Sequence, residues 1–271
     1  MTGISAHTID EAHPALRLID THAHVHLDQF DADRVAVLER ATQAGVQRIV
    51  EIGYDIPSSH AAIALAEAYP HLFAVVGVQP NHAAELPDDW LEQIHRLAQH
   101  PKVVAIGEIG LDYYWERAAH DVQEDVFRQQ LALARACHLP VVIHSREAQA
   151  DTLRILRHAA RGQPGIMHSF SGDWAYAQAC LEIGFMLSFS GPLTFKKAHD
   201  LHEVARLAPL DMLLTETDSP YLAPHPLRGK RNEPAYVRLV AARLAELRDL
   251  TLEQLSEQVW HNAEKIFRKS V

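Results

Sequence analysis

Six side chains able to hold a cation or move a proton stand at or just beyond the ends of short apolar runs: His22, His24, Glu108, His144, His168 and Asp218. The run Leu213-Leu214-Thr215-Glu216-Thr217-Asp218-Ser219-Pro220 shows the pattern most fully, because an apolar stretch closed by acid and proline reads as a buried strand delivering a carboxylate. Leu18-Ile19-Asp20 leads to His22 and His24, Val103-Val104-Ala105-Ile106-Gly107 to Glu108, Val141-Val142-Ile143 to His144, and Ile166-Met167 to His168. Imidazole and carboxylate groups in this number suit two divalent ions such as Zn²⁺ or Mn²⁺. Asp218 has no His or Cys beside it, so its partners must come from distant parts of the chain.

Each residue also has a plainer reading. In an extended segment His22 and His24 point to one face, yet His26 continues the period and makes His24 with His26 a second possible pair. Glu108 at the end of an interior run is costly unless a cation or donors compensate it, and a salt bridge to Arg146 would also serve. Gly107 and Gly110 leave room there for a close approach to the backbone. His144 or His168 alone would pass for a hydrogen-bonded structural histidine, and the chain holds 19 histidines. Taken together, six such groups at like ends of five strands are poorly explained by accident. Asp20 reads as a supporting residue, and Asp112, His138, His95, His100, His158 and His202 as structural or solvated. The loop Arg228-Gly229-Lys230-Arg231, with Arg146 after the fifth strand, offers cations to an anionic phosphate.

Positioning these groups falls to eight strand-like runs, at 16–20, 48–52, 72–78, 103–107, 140–144, 165–168, 185–189 and 212–217. Helical patterns alternate with them, at 33–44, 58–69, 88–100, 119–138, 146–160, 173–183, 195–207, 234–248 and 252–267. The alternation predicts an α/β fold, a single-domain (β/α)₈ TIM barrel, whose strand C-termini meet on one face where active sites sit. An open doubly wound sheet is the alternative, but no glycine-rich phosphate turn follows the first strand. Residues 1–14 read as a flexible polar tail and 15–271 as the barrel domain.

The bulk numbers narrow the function. A chain of 271 residues with 48% hydrophobic and 22% charged residues is ordinary for a globular protein. Its net charge of −10 argues against broad adhesion to nucleic acid while leaving room for a narrow, metal-borne phosphate site. Two cysteines form neither a disulfide framework nor a zinc motif, so a reducing cytoplasm is expected. Residues 1–14 lack a secretory pattern, no apolar run is long enough for a bilayer, and no obligate protein partner is evident.

With these residues in view, the sequence resembles the TatD family of metal-dependent deoxyribonucleases, among the amidohydrolase-like barrels. The carriers are Asp20-Thr21-His22-Ala23-His24, Ile106-Gly107-Glu108-Ile109-Gly110-Leu111-Asp112, Ile143-His144-Ser145-Arg146, His168-Ser169-Phe170-Ser171-Gly172, Glu216-Thr217-Asp218-Ser219-Pro220 and Arg228-Gly229-Lys230-Arg231-Asn232-Glu233-Pro234. The resemblance selects His22 and His24 over the pair with His26. It implies one ion on His22, His24, Glu108 and Asp218 and a second on Glu108, His144 and His168, with Glu108 bridging. His26 and Gln79 depart from the family's usual Asp or Asn and His at those places, and Gln79 bears on a substrate contact after the third strand.

The expected activity is divalent-metal-dependent hydrolysis of a phosphodiester, as a 3'-5' exonuclease on single-stranded DNA, with two ions of Mg, Mn or Zn. Asp218 is the expected general base and acid, Glu108 its catalytic partner, and Arg146, Lys230 and Arg231 the substrate contacts. DNA ends or another phosphate-bearing substrate are the expected partners. A hydrolase of small phosphoesters, lactones or amides is the first alternative. A non-catalytic metal-binding protein is the second.

Overall fold

The computed structural model describes residues 16–115 and 117–267, so the expected tail at 1–14 lies outside the described residues. Eight strands form one parallel sheet in sequence order: β1 Leu18–Ala23, β2 Val46–Ile52, β3 Leu72–Val76, β4 Val103–Asp112, β5 Val141–Arg146, β6 Gly165–Met167, β7 Phe185–Phe189 and β8 Leu213–Thr215. The ring is completed between the last strand and the first. Asp218 N donates to His22 O at 2.9 Å and His24 N to Ser219 O at 2.8 Å, beside an Ala23–Ser219 bridge. The (β/α)₈ barrel expected from the alternation is the fold observed.

Nine helices are described: α1 Arg34–Gln43, α2 Ile56–Ala68, α3 Trp90–Ala98, α4 His120–Ala136, α5 Gln149–Ala159, α6 Trp174–Ile183, α7 His199–Leu207, α8 Val237–Leu247 and α9 Leu252–Phe267. Local chemistry sets their ends. Asp55 caps α2 through Ser58 N at 2.8 Å, with Ser58 returning the bond to the Asp55 backbone N–H and Pro57 in the first turn. Asp173 caps α6, which Gly184 ends in the left-handed conformation at φ 96°. α9 presents Leu255, Val259, Ala263 and Ile266 inward at helical spacing. Its Asn262 amide donates to Leu213 O at the start of β8 (2.8 Å), while Arg17 and Arg48 stack on its Trp260. This helix therefore lies against the strands' N-terminal ends and leaves the opposite mouth open.

Two differences from the expected elements matter. Strand β4 runs five residues beyond Gly107, to Asp112, with its register against β5 shifting between Ile106 and Ile109. Glu108 therefore sits inside the strand at this irregularity, whereas the charge at that position suggested an end. Residues 195–198 precede α7 and are not helical, because Phe195 closes a 3₁₀ turn over Gly191–Thr194.

Candidate metal centre

The ends of β1, β5, β6 and β8 and the irregularity inside β4 bring the six groups together. Asp218 Oδ1 lies 3.5 Å from His22 Nε2 and 3.4 Å from His24 Nε2. The two oxygens of Glu108 face different histidines. Oε2 is 3.7 Å from His22 Nε2, whereas Oε1 is 2.7 Å from His144 Nδ1 and 3.1 Å from His168 Nε2. Among the described residues the groups able to hold an ion are His22–His24–Asp218, Glu108–His144–His168 and His22–His168–Glu216. His26 is in none of them: its Nδ1 pairs with buried Glu51 at 3.0 Å. Glu108 meets imidazoles and not Arg146, whose guanidinium stacks over Tyr114 at 3.8 Å.

The ring orientations are held from behind. Since a carbonyl only accepts, His24 Nδ1 donates to Ile52 O at 2.8 Å and leaves Nε2 for the mouth. His168 Nδ1 donates to Glu216 Oε1 at 3.1 Å, and that oxygen also takes Ser169 N at 2.7 Å. His144 Nε2 is 3.0 Å from Asp112 Oδ2. Asp20 is fully buried and accepts from the Thr217 and His22 backbone N–H groups, so it ties β1 to the Asp218 turn. That turn places Asp218 in the left-handed region, φ 57°.

The electrostatics divide the histidines. Burial, reinforced by the charge of neighbouring His168, holds the His22 pKa well below the usual histidine value. Burial opposes charge on His168 too, but Glu108 and Glu216 outweigh it and raise its pKa well above that value. In Glu108 the same balance runs the other way: burial would raise the pKa, and the charges and hydrogen bonds of His168 and His144 hold it well below the usual carboxylate range.

The donor set fits a metal ion. Both His22 nitrogens are buried and lack a hydrogen-bond partner, as does Glu216 Oε2. Buried polar atoms are normally satisfied, and a neutral imidazole among carboxylates is a competent ligand.

Two groups escaped the sequence reading. Glu216 repeats the two-residue spacing of Asp218, the signal already used for His22 and His24, so it was available in the same block. Asp112, whose sequence position suggests a structural or solvated role, is buried and abuts His144. Its signal is the Glu108, Gly110, Asp112 alternation, which a strand ending at Gly107 hides. The cationic loop divides. Arg231 donates to Gln29 O and pairs with Asp33 at 2.7 Å, Arg228 stacks on Phe195, and neither they nor Lys230 line the cavity at the mouth. Arg146 does line it, with Gln79, which donates to Glu108 Oε1 at 3.3 Å.

A (β/α)₈ barrel with histidines and acids gathered at its C-terminal mouth defines the class, a metal-dependent hydrolase. The chain belongs to the TatD related DNase family, whose match covers residues 19–268. It is 45% identical over 252 residues to a metal-dependent hydrolase of unassigned role, YabD, from Bacillus subtilis, covering 93% of this chain and 99% of that one. It is 36% identical over 258 residues to the 3'-5' ssDNA/RNA exonuclease TatD of Pantoea vagans, covering 93% and 99%. The crystal structure of the TatD homologue YjjV from Escherichia coli K12 superposes with a TM-score of 0.88 at 32% identity, covering 94% and 99%.

Proposed function

We propose that this chain is a two-metal exonuclease that removes nucleotides from the 3' end of single-stranded DNA. The observation that carries the reading is Glu108, a buried carboxylate with one oxygen toward His22 and the other toward His144 and His168. His22, His24, Glu108 and Asp218 would hold one ion, and Glu108, His144 and His168 the other. Mg²⁺, Mn²⁺ and Zn²⁺ are the candidates, and such ions supply Lewis acidity at a phosphoryl oxygen and make water a better nucleophile.

The chain's own residues do the rest. Asp218, at the mouth and partly exposed, accepts the proton of the attacking water and returns it to the leaving oxygen as the phosphorus–oxygen bond breaks. Arg146, stacked on Tyr114, orients the phosphate, and Lys230 on the loop after β8, outside the cavity lining, would have to move to become a second contact. Arg231 would first have to leave Asp33. The name of the Pantoea relative supports the polarity and substrate. A net charge of −10 favours gripping one end over coating a duplex. Residues 15–271 acting as one catalytic barrel, and cytoplasmic residence, belong to the same proposal; Cys137 and Cys180 are both free thiols.

The test is protein stripped of metal, reloaded with each ion and given end-labelled single-stranded DNA. Stepwise release of nucleotides is expected, falling roughly 10²- to 10⁴-fold in Asp218→Asn and Glu108→Gln. Turnover of small phosphoesters or lactones with DNA left intact would reassign the same centre to small molecules. Stoichiometric metal without any turnover would leave a binding protein.

A further inference from the structure

Large apolar side chains are seldom exposed on the described surface, and four of the seven that are belong to two loops at the mouth: Tyr114, Trp115, Tyr221 and Leu222. Water contact at such rings is unfavourable, and a cluster of them marks a place where something docks. Trp115 is 51% exposed and lines the cavity of about 640 Å³ that also holds His144, His168 and Asp218. Tyr221 and Leu222 line it too.

The loop that carries Trp115 is held in place. Asp112 Oδ1 accepts from Tyr114 N at 3.0 Å and Trp115 N at 3.1 Å, while its Oδ2 faces His144. Gln123, buried in α4, accepts from Asp112 N and donates to both Asp112 O and Ala118 O, bracketing the loop. Tyr114 meets Trp115 edge to face at 4.9 Å and carries the Arg146 guanidinium on its ring. Arg117 lies 5.7 Å from the Trp115 ring centre. An exposed indole on a pinned turn, flanked by two cations and tethered through one carboxylate to a candidate metal ligand, is placed to receive a flat, anion-bearing ligand.

Resting on the exonuclease reading above, we propose that Trp115 is the stacking platform for an unpaired nucleobase adjoining the scissile phosphate, with Arg146 and Arg117 on the flanking phosphates. Every base offers a π-face, so the contact is tolerant of sequence. A base inside a duplex is stacked on both faces and must leave its neighbours before it can lie on the indole, so the platform favours strands whose bases are already unpaired.

The test compares metal-loaded wild type, Trp115→Ala and Trp115→Phe on two single-stranded oligonucleotides, one ordinary and one whose last three nucleotides lack bases. Trp115→Ala should lose roughly ten- to hundredfold in kcat/KM on the ordinary strand, mainly through KM, and nothing on the baseless one. Trp115→Phe should recover most of the loss. Equal loss on both strands, or none on either, would overturn the platform. Should wild type cleave neither, the exonuclease reading falls by itself, and anisotropy of the labelled strands decides the platform: tighter binding of the base-bearing strand that Trp115→Ala abolishes upholds it, and indifference to the base refutes it.

Discussion

At the scale of single residues, the site depends on side chains that hold the candidate ligands from behind. Glu216 and Asp112 each hold the far nitrogen of a candidate ligand, His168 and His144, and so set which nitrogen faces the mouth. Partners of this kind commonly contribute 10- to 100-fold in metal affinity. We expect Glu216→Gln and Asp112→Asn to weaken metal binding by about that factor while the metal-free proteins keep their far-UV spectrum, read as a rightward shift in the metal concentration that raises Tm. Asp112→Asn carries a second consequence, since the Trp115 turn hangs on the same carboxylate.

At the scale of elements, the irregularity in β4 decides the geometry. Gly107 and Gly110 flank Glu108, and from sequence alone their space is open to an approaching group. The structure fills it with the neighbouring strand. A Cβ on Gly107 would meet Val142 Cβ at 2.7 Å, and one on Gly110, where φ is 141°, would stand 2.0 Å from His144 O. Gly110→Ala should therefore cost at least the ~1–3 kcal/mol of an overpacked core in urea unfolding, with the backbone strain of its positive φ added, and should also displace His144 and lose metal binding. Gly162→Ala is the control: φ is 73° but nothing lies within 4 Å, so it carries only a backbone cost of about 1–2 kcal/mol and leaves metal binding intact.

At the scale of the whole molecule, the barrel must be held shut where its ends meet. The loop after β8 is clamped to α1: Arg231 pairs with Asp33 at 2.7 Å, and Arg40 with Glu233 at 2.6 Å. The Arg231 hydrogen bond holds the Asp33 carboxyl below its ordinary pKa against an opposing effect of burial, with the charge of Arg231 and the Arg40 hydrogen bond adding to it. A carboxyl depressed in the folded state stabilises above its unfolded pKa, about 3.9 for Asp, and the gain disappears as pH falls through the folded value. The Tm of Asp33→Asn should accordingly lie below wild type by a constant margin above about pH 5, a margin that closes as pH drops below about 4. A margin independent of pH would assign the loss to packing. Arg231 thus serves the closure, and the described residues contain no helix long and apolar enough to cross a membrane.

The order of strands and helices, the class of the fold and the family were legible in the sequence, because a buried parallel strand must be apolar and must end where its polar cargo begins. Period-two spacing put His22 and His24 on one face, though choosing them over His26 took the family resemblance; in the structure Glu51 draws His26 away. Tertiary structure decided what depends on contacts remote in sequence: the division of Glu108 between His22 and the pair His144 and His168, the support of His168 by Glu216 and of His144 by Asp112, and the withdrawal of Arg231 to α1. Hydrophobic periodicity reports which way a side chain points, but the partner it meets is set by strand register and barrel closure, which a linear pattern does not encode.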